Sequence, residues 1–465
     1  MARRVVPRVH GTMGNGHLAL LLAFSLAVMA DPVSSVAYAI EAALRALHGH
    51  LSLLLLTMAL VLGIISVVRL NYDQLIQRFP EGGGAVAATG VAFGEAWAFA
   101  PLGALIVDFV LTIAISAAAA ASAVIAYFPS LEGQRVPLAL AFVFLVAGLT
   151  WFGHFGRSIF ALMTIAFVAV AIVVLAIGFL SPHVATFDAH PKTTGGATWP
   201  LTFLAFPVAM ALATGVEAPS SAIAQLGQLD DTGRRRFGRT TLWLTFAIEG
   251  LLTILITALA VHRQVGIPSK DSTLIADVAE ASVGRGALYA MFQLTSSLLL
   301  LAAAASSFQA GPGLLKALAR RDHRDGTRVG ILPPWLGATN EHHTPYWSVV
   351  VYVLLSSVVV VAASGRDQEL VLFYAVAVFV SFLSGLLAMA HFSKLDGERR
   401  HRLVNMFGAA IVAFTILVNL GRGYPIFSLL AAGGIAMGLY LLWVHSGRPR
   451  GIAQAEMEAE RELAS

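Results

Sequence analysis

Twelve apolar stretches follow one another along the chain, separated by short polar connections. Stretches of about 18 or more apolar residues are typical of membrane-spanning helices. No connection is long enough to form a separate soluble domain. The pattern therefore predicts an all-α polytopic membrane protein with twelve transmembrane helices. The stretches are 17–47, 51–69, 97–127, 137–153, 156–180, 201–226, 240–262, 287–315, 346–364, 368–392, 404–421 and 424–445.

Two of these stretches are interrupted in nearly the same way by a short polar motif. Residues 31–35 (DPVSS) interrupt the first stretch, and residues 214–221 (TGVEAPSS) interrupt the sixth. Each motif carries a carboxylate, a proline and two serines. Irregular backbone at membrane depth is tolerated only where protein buries it or where it lines a cavity. Two interrupted segments in corresponding halves of a chain indicate the binding site of a transporter.

The spacing of the two motifs predicts an internal repeat. Their carboxylates are 186 positions apart, in the first members of two sets of five segments. Because five is odd, the two sets cross the membrane in opposite senses. Inverted repeats with broken first helices are typical of the LeuT-type architecture. The predicted organisation is a transmembrane domain over 17–445, with repeat one at 17–180, repeat two at 201–392 and peripheral helices at 404–445, between cytoplasmic tails at 1–16 and 446–465. Residues 71–95 are too polar to span and predict a cytoplasmic loop with a short helix.

Composition and charge agree with a membrane protein. The chain is 57% hydrophobic and 12% charged, whereas soluble domains carry about 25% charged residues. If the N-terminus is cytoplasmic, 22 of the 30 lysines and arginines, including Arg69, fall on the cytoplasmic side. The positive-inside rule then places both termini in the cytoplasm. Arginines 234–236 are interpreted as an inside anchor rather than a nucleic-acid site, so no nucleic-acid partner is expected.

Several classes of chemistry find no support in the sequence. The chain has no cysteine, which removes disulfides and thiol metal sites. It has no Gly-Lys pair and therefore no Walker-A loop, and it has neither an HExxH nor a GxSxG motif. We therefore expect neither an enzyme nor a bound cofactor. The expected partners are the lipid bilayer, a small cation or amine, and a coupling proton.

Carboxylates within the apolar stretches are the scarce feature. Each costs about 2.5–3.5 kcal/mol at mid-membrane and should therefore face a cavity or a partner. Asp31 is the strongest candidate, because Pro32 removes a backbone donor and disfavours helix at the residue before it. Freed carbonyls, the Asp31 carboxylate and the hydroxyls of Ser34 and Ser35 would form a shell of hard oxygen ligands for a cation. The alternative is a proline kink with a structural aspartate.

Other polar side chains lie at helical spacing from these carboxylates. Tyr38 would return to the face of Asp31 if helix resumes. Asp108, Thr112 and Ser116 line one helix face, although such hydroxyls often only bond their own backbone or a neighbouring helix. In the sixth segment Gly215 permits unwinding, Thr214 offers a hydroxyl, and Glu217 is a candidate for proton exchange.

Weaker candidates have plainer structural explanations. Glu41 is expected to pair with Arg45 one turn later, and Glu249 has no assigned role. For Ser306 and Ser307, close helix packing is the favoured explanation. Tyr374, taken alone, is interpreted as a packed aromatic side chain.

Four stretches carry a resemblance to a known family. They are DPVSSVAYA at 31–39, FPEGGG at 79–84, DFVLTIAIS at 108–116 and TGVEA at 214–218. The chain resembles the amino acid–polyamine–organocation superfamily, and within it the KimA-type potassium–proton symporters, up to about residue 445. The resemblance implies a multi-pass protein of the bacterial cell membrane, with Glu217 as the proton-linked carboxylate. The potassium ligands that the resemblance implies are Asp31, Tyr38, Thr112, Ser116, Thr214 and Tyr374.

The sequence thus predicts a proton-coupled cation importer that works by alternating access. Asp31 would bind the cation, and Glu217, with Asp108 as a second candidate, would change protonation. Amino-acid members of the superfamily hold a substrate carboxylate at a glycine-rich break, whereas an anion at Asp31 would repel one. An amino-acid or polyamine permease is an alternative function, since Asp31 could anchor an ammonium group. A membrane receptor or scaffold that does not transport is the third alternative.

Overall fold

The computed structural model describes residues 15–152, 157–181, 196, 199–322, 328–421 and 426–462. Helices dominate this part of the chain, and the two short strands β1 (Arg321–Asp322) and β2 (Arg328–Val329) pair antiparallel. Short 3₁₀ turns occupy Pro129–Gln134, Met210–Ala213, Ile223–Gln225, Pro334–Gly337 and Ile452–Gln454. The α-helices are α1 (Asn15–Val28), α2 (Ala30–Ser34), α3 (Val36–Ala46), α4 (Leu51–Arg78), α5 (Gly84–Phe93), α6 (Glu95–Tyr127), α7 (Arg135–Trp151), α8 (Arg157–Leu180), α9 (Trp199–Ala209), α10 (Ala218–Ala222), α11 (Asp231–His262), α12 (Leu274–Val283), α13 (Ala287–Leu318), α14 (Tyr346–Ala362), α15 (Asp367–Leu395), α16 (Arg399–Leu420), α17 (Ile426–His445) and α18 (Ala455–Glu462).

The described residues contain ten helices that are long and apolar enough to cross a membrane. They correspond to ten of the twelve predicted segments. The first predicted segment is divided among three shorter helices, α1 to α3, and the ninth is the 17-residue helix α14. Each of these pieces is shorter than the 18 residues taken as a span. The chain is therefore an all-α, multi-pass membrane protein, as predicted.

The first segment is interrupted, but it is not unwound. Helix α2 is bounded by Met29 and Ser35, and both residues keep right-handed helical backbone angles. Pro32 fits because it lies in the first turn of α2, where backbone N–H groups lack a partner within the helix. The prediction that the carbonyls here are free is wrong, since the hydroxyls of Ser34 and Ser35 donate to the carbonyls of Asp31 and Pro32.

The sixth segment, in contrast, loses its helix completely for a short stretch. Helix α9 tightens into a 3₁₀ turn, and Thr214 then takes an extended ψ of 135°. Gly215 follows with φ +71°, in the left-handed region that glycine reaches without strain. Helix α10 begins at Ala218. The predicted unwinding at Gly215 is confirmed.

Helix α6 lies at the centre of the packing. Of the ten long helices it has the most buried apolar window, and it packs against α13, α15 and α17. Small residues allow the close approach: a Cβ at Gly103 would lie 2.6 Å from the carbonyl oxygen of Ala432 in α17. Helices α16 and α17 are the least buried together with α7.

Three polar connections contain structure that the hydrophobic pattern did not predict. Residues 263–285 include helix α12, residues 316–345 include the β1–β2 pair, and residues 446–465 include helix α18. The last segment was predicted as a tail, but its described residues fold back onto the membrane helices. The short helix expected within residues 71–95 is present as α5, although α4 continues as far as Arg78.

A buried ion pair joins α4 to α11. The Arg69 guanidinium donates to Glu249 Oε2 at 2.6 Å and to the Leu242 carbonyl at 2.8 Å, and both charged side chains are 0% exposed. Phe246 stacks against the guanidinium, with its ring centroid 5.3 Å from the Arg69 Cζ. The assignment of Arg69 to a cytoplasmic connection is therefore wrong. The pair also gives Glu249, which had no assigned role, a structural one.

Breaking this pair from one side should destabilise the protein strongly. In Arg69→Met or Glu249→Gln, one buried group loses its charged partner, which costs about 3–5 kcal/mol. We expect a clearly lower melting temperature in detergent for each single variant. Arg69→Met combined with Glu249→Leu should recover much of the loss, because no buried charge is then unpaired.

The matched control is Arg78→Ala, which removes an ion pair with Asp396 that is well exposed to solvent. Such pairs contribute little to stability. A single variant of the buried pair that melts at the same temperature as the Arg78 variant would contradict the structural role assigned to Arg69 and Glu249.

Candidate functional site

The two polar motifs, 186 positions apart in sequence, meet in space. Gly215 lies directly against Asp31 and Pro32: a Cβ at Gly215 would be 2.8 Å from Pro32 Cδ and 2.9 Å from Asp31 Oδ2. Real Cβ atoms do not approach other atoms so closely, and only a glycine fits. The unwound turn of the sixth segment is therefore packed onto the carboxylate of the first.

The serines of the two motifs make the same local hydrogen bond. Ser34 Oγ donates to the Asp31 carbonyl at 2.7 Å, and Ser220 Oγ donates to the Glu217 carbonyl at 2.8 Å. In each motif the first serine thus caps the carbonyl of the carboxylate residue three positions earlier. The sequence correspondence between the motifs is therefore also a correspondence of local structure.

The second serine of each motif reaches beyond its own helix. Ser35 Oγ donates to the Pro32 carbonyl at 2.6 Å and to the Leu212 carbonyl at 3.1 Å, which links α2 to the turn after α9. Ser221 Oγ instead hydrogen-bonds to Oε1 of Glu456 in α18. Ser34 and Ser35 therefore hold backbone in place.

A cavity of about 120 Å³ lies beside the two motifs. This volume is well above the about 10–15 Å³ that one water molecule needs. Asp31 and Glu217 both line it, so the structure brings the two predicted carboxylates to one space. Its other polar lining residues are Ser221, Gln225, Ser306, Ser307, Gln309 and Glu456.

The charge around this cavity is negative. Asp31 Oδ1 and Glu217 Oε2 are buried, and neither has a hydrogen-bond partner in the described structure. Asp108 is close enough to interact electrostatically with both carboxylates. The buried cation Arg69 is held by Glu249 instead. Anions gathered in a low-dielectric site require protons or a cation to neutralise them.

Four other predicted ligands are not among the described residues that line the cavity. Tyr38, Thr112, Ser116 and Thr214 are almost fully buried. Thr214 Oγ1 donates to the Ala211 carbonyl at 2.7 Å. The Tyr38 hydroxyl and Ser116 Oγ have no hydrogen-bond partner in the described structure.

Three other sequence candidates are placed as follows. The predicted pair of Glu41 and Arg45 is confirmed at 2.8 Å, and Glu41 also accepts from the Leu274 N–H at the start of α12. Ser306, for which packing was expected, lines the cavity and donates to the Ala303 carbonyl. Tyr374 belongs to α15, but its side chain lies outside the described part of the structure.

Sequence reasoning missed Glu456, Gln225 and Gln309 as cavity residues. Gln309 follows the Ser306–Ser307 pair by less than one helical turn, and this spacing was a signal that could have been used. Glu456 gave no such signal, because it lies in a polar segment after the last apolar stretch. Only the folding back of α18 brings it to the cavity.

The chain is similar to known proteins over most of its length. A family model described as amino acid permease matches residues 19–448. The potassium transporter KimA of Bacillus subtilis (strain 168) is 30% identical over 370 residues, which are 77% of this chain. The match spans only 58% of the length of that relative.

Solved structures show the same fold at low sequence identity. A manganese transporter of Eremococcus coleocola, crystallised with an aromatic bis-isothiourea compound, superposes with a TM-score of 0.52 and 13% identity over 98% of both chains. A mutant of that transporter gives 0.51, with the same identity and coverage. The chain therefore shares the fold of this transporter.

Substitution of Gly215 tests the contact between the motifs. In Gly215→Ala the new Cβ would collide with Pro32 and Asp31, and its φ would be strained. We expect loss of most substrate uptake in vesicles, because the Asp31 carboxylate has to move. Gly63→Ala is the matched control, since a Cβ there has open space within 4 Å. Equal uptake by the two variants would show that the contact has no role in transport.

Proposed function

Since the chain belongs to the amino acid permease family of secondary transporters, we propose that it imports a small cation, potassium, by symport with protons. The observation that carries the proposal is the carboxylate of Asp31, a residue that lines a cavity together with Glu217 and whose buried Oδ1 has no hydrogen-bond partner in the described structure. A positively charged substrate is the partner that this carboxylate lacks. The 30% identity to a potassium transporter favours potassium as that substrate.

The proposed architecture is the LeuT-type arrangement with twelve membrane crossings. The interrupted α1–α3 and the short α14 supply the two crossings beyond the ten long helices. Repeat one would run over 17–180 and repeat two over 201–392, with α16 and α17 peripheral. The shared hydrogen bonds of Ser34 and Ser220 support this pairing of the repeats. Both termini would lie in the cytoplasm of a bacterial cell, as the distribution of basic residues favours.

In the proposed mechanism Asp31 is the principal cation ligand. Tyr38, Thr112, Ser116, Thr214 and Tyr374 would complete the coordination with oxygen atoms in one state of the transport cycle. Glu217 would carry the coupling proton, with Asp108 as its electrostatic neighbour. Alternating access would then expose this site first to one side of the membrane and then to the other.

An amino-acid or polyamine substrate is the second candidate, and the description of the matching family favours it. An ammonium group could take the position proposed for potassium. A free amino acid would also bring a carboxylate, which Asp31 and Glu217 would repel. The two candidates are separated by direct uptake measurements.

Neutralising Asp31 should abolish cation uptake. Asp31→Asn removes a charge-assisted interaction worth about 1.5–3 kcal/mol, which corresponds to a loss of about 10–100-fold. The measurement is uptake of radioactive rubidium, as a tracer for potassium, into vesicles that contain the purified protein. The wild type should also restore growth at low potassium to a bacterium without its own potassium uptake systems. Asp231→Asn, at an exposed position, is the matched control and should behave as wild type.

Radiolabelled amino acids and polyamines are tested in the same vesicles. Uptake of one of these compounds without rubidium uptake would overturn the potassium proposal and favour the second candidate. Binding partners that are unaffected by Asp31→Asn, without flux of any of these substrates, would favour the receptor or scaffold.

Glu217→Gln should separate proton coupling from cation movement. The amide resembles the protonated carboxyl but cannot release a proton. We expect the variant to keep rubidium exchange between equal concentrations on both sides. It should lose accumulation driven by an acidic exterior. Accumulation that still follows the pH gradient would exclude Glu217 as the coupling group.

A further inference from the structure

Helix α18 is a polar helix in a buried position. Its sequence, AEMEAERE, contains four glutamates and one arginine, yet Ala455, Met457 and Ala459 are buried. The preceding turn is also anchored, because the Gly451 N–H donates to Glu95 Oε1 at 2.7 Å. A polar segment held in this way is part of the folded domain.

Glycines on neighbouring helices form the surface against which this segment packs. A Cβ at Gly90 of α5 would lie 2.3 Å from the Ala453 Cβ, so the turn before α18 touches α5 directly. A Cβ at Gly313 of α13 would lie 3.6 Å from the Ala459 Cβ. A Cβ at Gly84, which opens α5, would meet Glu456 Oε1 at 3.5 Å. Close packing of this kind on two membrane helices fixes α18 at one end of the cavity.

Glu456 is the residue that α18 contributes to the cavity. Its side chain is buried, its Oε1 accepts from Ser221 Oγ, and the residue lines the same space as Asp31 and Glu217. It is also within electrostatic range of Glu217. The cavity wall therefore includes a third carboxylate, supplied from outside the two repeats.

The bond between Ser221 and Glu456 differs from its counterpart in the other repeat. Ser35, at the corresponding position of the first motif, is fixed on the Leu212 carbonyl within the membrane helices. Ser221 is fixed on α18 instead. Movement of α10, which carries Ser221, is consequently linked to α18, whereas movement of α2 is linked to the sixth segment.

We propose that residues 452–462 form the inner gate of the transport cavity and that Glu456 is a further cation-binding residue at this gate. The proposal rests on the function proposed above. With the gate closed, α18 covers the cytoplasmic end of the cavity. Release toward the cytoplasm requires Ser221 and Glu456 to separate, and the Glu456 carboxylate then offers the cation a second binding position on its way out.

A disulfide tests whether α18 has to move. The chain has no native cysteine, so the pair Gly313→Cys and Ala459→Cys would form a unique crosslink. The Cβ separation of 3.6 Å lies within the range of natural disulfides. We expect oxidation to remove most rubidium uptake in vesicles and a reducing agent to restore it. Each single cysteine variant is a control that oxidation should not affect. Undiminished uptake by fully crosslinked protein would overturn the gate.

Cavity access provides a readout that does not depend on the substrate. Ser306→Cys places one thiol in the cavity wall, and a membrane-impermeant maleimide is added to the cytoplasmic side of inside-out vesicles. Adding Glu456→Ala should raise the labelling rate severalfold, because α18 loses its bond to Ser221. The matched control is Arg78→Ala, which removes an exposed ion pair with Asp396 outside residues 452–462 and should leave the rate unchanged.

The two measurements separate the gate from the proposed substrate. An unchanged labelling rate in the Glu456→Ala variant, with thermal stability in detergent equal to that of its parent, would overturn the gate. Faster labelling supports it. Faster labelling together with no rubidium uptake by the wild type would support the gate and reject potassium as the substrate. In protein with a working gate and rubidium uptake, Glu456→Gln, which can still hydrogen-bond to Ser221, should weaken the apparent affinity for rubidium. An unchanged affinity would reject Glu456 as a cation-binding residue.

Discussion

The arrangement of the site depends on one contact, between the Asp31 carboxylate and the backbone of Gly215. Gly215 has no side chain and adopts positive φ, so the turn of the sixth segment can lie within van der Waals distance of Asp31 Oδ2. This contact buries the carboxylate without supplying a positive charge to it. An unpaired anion is costly to bury within a membrane. This one lies where the two motifs meet, beside the cavity.

The buried pair of Arg69 and Glu249 shows that the fold can neutralise a buried charge elsewhere. There the guanidinium donates to a carboxylate and to a backbone carbonyl, and the pair is sealed between α4 and α11. Asp31 and Glu217 lie within electrostatic range of members of this pair, but the structure does not direct the guanidinium at them. The difference separates a structural ion pair, which joins helices, from two carboxylates that each keep one oxygen without a hydrogen-bond partner in the described structure.

The two motifs share a local design and differ in what they are attached to. In each, a serine hydroxyl donates to the carbonyl of the carboxylate residue three positions earlier, a local bond of the kind that competes with regular helix. The first motif stays helical, whereas the second contains a fully extended residue and a left-handed glycine. The second motif is linked through Ser221 to α18, whereas the first is linked through Ser35 to the sixth segment.

The sequence by itself determined the class of the protein, most of its helices and two of the three carboxylates that line the cavity. These follow from local properties: the length of apolar stretches, the spacing of the motifs, and the cost of Asp31 and Glu217 in a membrane. It also predicted the Glu41–Arg45 pair, because residues four apart on a helix are neighbours. The sequence could not predict that Arg69 is buried, since its pairing with Glu249 depends on the packing of α4 against α11.

Only the tertiary structure decided three further points. It linked Ser35 to the Leu212 carbonyl of the sixth segment, a hydrogen bond between residues 177 positions apart. It showed that Gly215 touches Asp31, a contact between residues 184 positions apart that no local pattern encodes. It brought Glu456 to the cavity, since a polar segment has no hydrophobic period that would indicate where it docks. Local chemistry is encoded along the chain, whereas the meeting of distant groups depends on how the helices pack.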